Sequence, residues 1–169
     1  MILGMSVSTF TFIHVVLSLV GIAAGVVVVI EMIGSKKKDV WTTVFLTTTV
    51  LTSVTGFFFP RDNLLPSHIV GIISLILLAA AIAALRAYRL AGRWRSIYVV
   101  TAIAALYLNV FVAVVQGFLK VPFLTRLAPT QADPPFVIVQ GVVLLAFIGV
   151  GVLAFRSFRP ELPALAVSA

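Results

Sequence analysis

The sequence predicts an all-α polytopic transmembrane bundle of five helices, with the N-terminus outside and the C-terminus in the cytoplasm. Three observations carry that prediction. The 169 residues are 62% hydrophobic and only 10% charged, whereas soluble domains run at about 45–50% apolar and about 25% charged. With a mean hydropathy of +1.22, the chain lacks the polar residues that a water-facing surface of this size requires. The apolar residues fall into five long runs, each near the about 20 residues that a hydrocarbon core about 30 Å thick demands. The basic residues cluster at alternate ends of those runs.

The runs are taken in order as helices over residues 9–33, 40–59, 67–87, 96–119 and 135–156, forming one domain. Barrel strands would be about ten residues long with strict alternation, and no such alternation is present. The first run reads as a retained helix rather than a signal peptide, because Met1 to Thr9 carries no Lys or Arg and the run is too long for an apolar h-region. The second is the least apolar, with Thr42, Thr43, Thr47, Thr48, Thr49, Thr52, Thr55 and Ser53. In lipid these hydroxyls can bond back to the preceding turn. Pro66 precedes the third run at a position where no helical N–H is needed. Between the fourth and fifth runs, Lys120 to Leu127 is expected to form a short interfacial helix started by Pro122. Pro129 to Pro135 reads as turn and extended chain.

Charge sets the orientation. Lys36, Lys37, Lys38, Arg86, Arg89, Arg93, Arg95, Arg156 and Arg159 lie at one set of ends, and Arg61, Lys120 and Arg126 at the other. The positive-inside rule puts the first set in the cytoplasm. Trp41, Tyr88, Trp94 and Tyr98 fall at the same ends and read as interfacial anchors. The net charge of +7 is therefore a topology signal, with attraction to anionic lipid headgroups as its consequence. No basic run interleaves with aromatics in a polar segment, so nucleic acid is not an expected partner. The absence of cysteine excludes disulfides and thiolate chemistry.

Orientation also gives each intramembrane polar residue a depth. His14, His68, Asn109, Gln116 and Gln140 all fall toward the outer side, with Arg61 and Asp62 at the outer mouth between runs two and three. Glu31 alone lies near the inner end, where the lysine run is expected to neutralise it close to water. Asn109 and Gln116 are seven residues apart and share a helix face. Since a polar side chain in hydrocarbon is costly without a partner, the five are candidates for a ligand pocket, and Arg61 and Asp62 for its mouth. Each has a plainer reading beside it. Asn109, Gln116 and Gln140 can serve as interhelical hydrogen bonds. The two histidines can pack or face the interface rather than ligate haem. Gly21 and Gly25 form a G-x-x-x-G that permits close helix approach, within the chain or in a homo-oligomer. No catalytic residue set, metal-ligand set or phosphate-binding glycine loop is present.

The expected function is accordingly a non-enzymatic membrane module with an outer-leaflet polar pocket for a small lipophilic ligand, a quinone or a haem, acting as an accessory subunit. A small-solute transporter or channel subunit is the alternative, because the threonine-rich second run could line a path. A membrane scaffold or assembly partner is the third reading.

The segments Leu51 to Phe57, Leu65 to Ile72 and Tyr107 to Val112, with Leu127 to Gln131 and Pro134-Pro135-Phe136, resemble a group of small bacterial multi-pass membrane proteins that is uncharacterised. The resemblance implies a bacterial inner membrane. It assigns no functional residue.

Overall fold

The structure is a computed structural model and describes residues 1–36, 39–59 and 66–159. It is all-helical among those residues. The helices are α1 (Val7–Ile33), α2 (Asp39–Gly56), α3 (Pro66–Ile82), α4 (Arg93–Lys120), α5 (Pro122–Leu127) and α6 (Pro134–Ser157). Four of them, α1, α3 with its continuation, α4 and α6, are long and apolar enough to cross a membrane. The five long elements agree with the apolar runs to within a few residues. Arg61 and Asp62 lie outside the described residues.

The ends are fixed by local chemistry. Ser6 caps α1 by accepting from the Thr9 N–H at 3.1 Å. Helix α3 runs on as a π-helical turn, Ala83–Ala87, before Arg89, Leu90 and Gly92 reverse the chain at positive φ. Its widened turn leaves the Tyr88 N–H on Ala83 O and the Leu90 N–H on Ala84 O, so the last carbonyls remain paired. Pro122 opens α5 at its first turn, where the sequence placed it. Phe123 and Leu127 project outward from that short helix.

Helices α1 and α2 pack as an antiparallel pair, as do α3 and α4, and α6 lies against α1 and α4. The apolar core runs between them through Ala24, Val28, Phe45, Leu78, Ala102 and Leu106. Three threonines and a serine of α2 fit this packing because their hydroxyls donate along their own helix, while the buried Thr52 hydroxyl has no partner among the described residues. Thr48 donates to Val44 O at 2.7 Å, Thr49 to Phe45 O at 2.7 Å, Ser53 to Thr49 O at 2.9 Å and Thr55 to Leu51 O at 2.7 Å. Helix α6 is the least covered of the long helices, with 11% of its apolar window buried against 39% for α4.

The basic end of the bundle is laced together. Arg86 donates to the Thr43 hydroxyl, linking α3 to α2. The Arg159 N–H donates to Ser35 Oγ at 2.9 Å, linking the chain beyond α6 to the end of α1. Arg95 donates to the carbonyls of Phe155 and Phe158, a cation placed on the carbonyl end of α6 where the helix dipole favours it. The same guanidinium lies 5.8 Å from the centre of the Phe155 ring.

Two sequence expectations are corrected at this end. Tyr98 is not an interfacial anchor. It is 1% exposed, because one turn into α4 it faces the bundle, where its hydroxyl is hydrogen-bonded to Thr42 within electrostatic reach of Glu31. Glu31 is not exposed at the helix end either, since its side chain is buried against the bundle although α1 ends two residues further on. Tyr88 and Trp94 do lie toward the surface, stacked at 3.6 Å.

Gly21 and Gly25 set how near α1 can come to its neighbours. A Cβ on Gly25 would stand 2.5 Å from Leu106 Cδ1 and 2.9 Å from Phe45 Cδ2. On Gly21 it would stand 3.1 Å from both the Thr48 and Thr49 hydroxyl oxygens. The G-x-x-x-G face thus meets α2 and α4 of the same chain, and these contacts leave it no room for a second copy. Gly25→Leu should lower the unfolding free energy in detergent by about 1–3 kcal/mol through overpacking, measured by SDS titration. An unchanged midpoint would show that α1 does not approach its neighbours here.

Candidate functional site

Of the five candidate pocket residues, His14, Asn109 and Gln140 are held in separate pairwise contacts. His14 lies on α1 with Nδ1 2.8 Å from the Thr55 hydroxyl of α2. Thr55 has one hydroxyl proton, and it points to the Leu51 carbonyl. The proton between His14 and Thr55 therefore belongs to Nδ1, and in the neutral form of the ring Nε2 is the unprotonated nitrogen. Phe59 closes over the imidazole edge-on at 5.2 Å and reaches Phe10 at the same distance.

One turn further along the same face of α1, Ser18 donates to Asn109 Oδ1 at 2.8 Å. The Asn109 amide returns a longer contact to the Ser18 carbonyl at 3.4 Å. This pair joins α1 to α4, and Gly21 lies beneath it with the Asn109 amide packed over the glycine. Gln140 on α6 donates to the Phe111 carbonyl of α4 at 3.2 Å. Its Oε1 is buried with no partner among the described residues. His68 opens α3 and stacks on Phe57 at 5.5 Å. Gln116 is half-buried on α4, two turns beyond Asn109.

The structure thus brings His14 to Thr55, Asn109 to Ser18 and Gln140 to α4 backbone. The two histidines flank the chain that follows α2, each against a different phenylalanine. Among the described residues no three His, Asp or Glu converge as a metal site. Ser18 and Thr55 were missed as partners. Their signal was present, since Ser18 lies one turn from His14 on the same helix face.

A second feature has no polar signature. An open-sided trench of about 560 Å³ runs between α4 and α6, within the range of about 300–1,000 Å³ typical of ligand sites. Ile103, Tyr107, Phe147, Gly151, Phe155 and Arg156 are among its lining residues, and none of the five candidate pocket residues is. Two of its lining residues, Ala104 on α4 and Gly151 on α6, are small. The nearest atom to a Cβ on Gly151 would be Ile103 Cγ2 at 3.8 Å, so the two backbones leave room that larger side chains would fill. Tyr107 stands edge-on to Phe147 at 5.6 Å near the middle of the bundle. Arg156 stands at the opposite, basic end. Along α6 the lining extends from Leu144 to Arg156, about 18 Å at about 1.5 Å per residue.

No protein-family model matches the chain, and neither a curated protein nor a solved structure matches it significantly. The functional reading therefore rests on the geometry alone.

The Ser18–Asn109 contact yields a quantitative test. Ser18→Ala and Asn109→Ala, alone and combined, should show a coupling energy of about 0.6–1.7 kcal/mol, the range for hydrogen bonds between helices in a bilayer. A double-mutant cycle on SDS-driven unfolding measures it. Zero coupling would remove this pair as a fastening between α1 and α4.

Proposed function

We propose that the chain is an integral membrane protein of a bacterial inner membrane with five spanning helices, its N-terminus outside and its C-terminus in the cytoplasm. We further propose that it is a non-enzymatic module that accommodates a lipophilic ligand between α4 and α6. In this reading the outer polar residues fasten helices together, and the trench takes the ligand.

Support for α2 as the fifth span comes from its hydrogen bonds and its length. Eighteen residues make about 27 Å at about 1.5 Å per residue, close to a hydrocarbon core of about 30 Å. Its first turns meet the end of α3 through Arg86 and Thr43, and its last turn meets the beginning of α1 through Thr55 and His14. It therefore traverses the bundle from end to end. The donated hydroxyls named above need no water, which also disfavours a hydrated path along α2 and with it the transporter reading. The basic residues at the Ser35, Arg89 and Arg159 end favour that end as cytoplasmic.

The single observation behind the ligand reading is the trench. A bilayer leaves no such space empty, because an apolar wall without neighbouring atoms forfeits dispersion contacts. Its length along α6 is near the depth of one leaflet, about half of the hydrocarbon thickness.

Two experiments test these proposals. The chain has no native cysteine, so single cysteines report cleanly. Phe58→Cys and Thr130→Cys should react with an impermeant maleimide in intact cells, and Lys36→Cys only after permeabilisation. Labelling of positions 36 and 58 from one side would remove α2 as a span, and a reversed pattern would invert the orientation. For the ligand, a diazirine-bearing fatty acyl probe added to the purified protein should concentrate its label on residues 103–107 and 144–155. Uniform labelling over the lipid-facing sides of α1 and α3 would count against a dedicated site. Organic extraction of the purified protein then separates a bound quinone from a bound lipid.

A further inference from the structure

We infer that the trench between α4 and α6 binds an anionic phospholipid of the cytoplasmic leaflet, with one acyl chain along the apolar seam and the phosphate on Arg156. The inference rests on the proposed ligand site and names its occupant.

Three observations carry it. The first is shape. The space is elongated and open along one side, which suits a chain entering laterally from lipid rather than a compact ring system enclosed by protein. It stops near Tyr107 at mid-depth, where the tail of one leaflet ends. The second is polarity. Every lining residue is apolar except Tyr107 and Arg156, and Arg156 carries the lining's one charge, so a charged head of a ligand has a match only at the Arg156 end. The third is charge. The Arg156 side chain is exposed at the mouth, while Arg95, beside it on α4, is committed to the α6 carbonyls and the Phe155 ring. Arg95 thus holds the mouth in shape and adds positive potential. Arg156 can offer its guanidinium fork to phosphate oxygens, a geometry that suits two parallel hydrogen bonds. Arg93 opens α4 at the same end, and Arg159 follows α6 there. A zwitterionic headgroup would bring its own cation into this field, whereas an anionic one brings none.

The test uses the full chain in detergent, with native mass spectrometry after addition of phosphatidylglycerol or phosphatidylcholine of identical acyl chains. Wild type should retain phosphatidylglycerol about five-fold more than phosphatidylcholine, the size expected for one basic side chain near an anionic headgroup. Arg156→Gln should abolish that preference while leaving phosphatidylcholine retention as it was. Gly151→Leu, which fills the seam, should reduce retention of both lipids. Circular dichroism and the SDS midpoint show that each variant is folded, and Ala104→Leu fills the same space from the α4 side should Gly151→Leu fail to fold. A wild type without preference, or an Arg156→Gln variant that keeps it, overturns the anionic assignment while the ligand site stands. Unchanged retention in both seam-filling variants overturns the site itself.

Discussion

The close approach of α1 to two helices at once is the contact on which the bundle depends. Gly21 and Gly25 present backbone where other residues would present side chains. Phe45 of α2 and Leu106 of α4 can therefore meet across α1. Hydrocarbon does not press helices together as water does, so packing area and interhelical hydrogen bonds must hold them. The Ser18–Asn109 pair lies directly beside the glycine face and works only because the helices are this near. The threonines opposite Gly21 are tolerated for the same reason, since each hydroxyl is already donated along its own helix.

The sequence made most of the fold legible. Apolar runs located the five long helices, four of which are long and apolar enough to cross a membrane, because such a helix must be both long and apolar on every side. Pro122 announced the short helix after α4, because a proline has few other helical positions open to it. The π-helical turn after Ile82 was not legible, since Ala-Ala-Leu-Arg-Ala carries no breaker. Tyr98 and Glu31 were misplaced for one shared reason. Position along a helix gives depth, but rotation about its axis decides between lipid, water and core, and rotation is set by partners distant in sequence.

The candidate site was legible in its residues and less so in their grouping. His14, Asn109 and Gln140 stood out because polar atoms in lipid need partners, and each has a hydrogen bond. Their partners, Thr55, Ser18 and the Phe111 carbonyl, belong to other helices, so depth suggested a single cluster where the structure has three fastenings. The trench left no trace in the sequence. Ala104 and Gly151 are two ordinary small residues, and only the pairing of α4 with α6 brings them to one space.

Arg95 bears on the order in which this bundle comes together. It is synthesised well before α6, and the carbonyls it will hold do not exist when α4 enters the membrane. Until then its guanidinium has only headgroups and water. Helices α1 to α4 carry most of the buried core, so they can consolidate while α6 is still being made. Docking of α6 then becomes a late and separable event, completed when Arg95 reaches the helix's final carbonyls and Phe158 comes to rest against Tyr98. A helix joined in this way sits on a surface that the other helices have already formed.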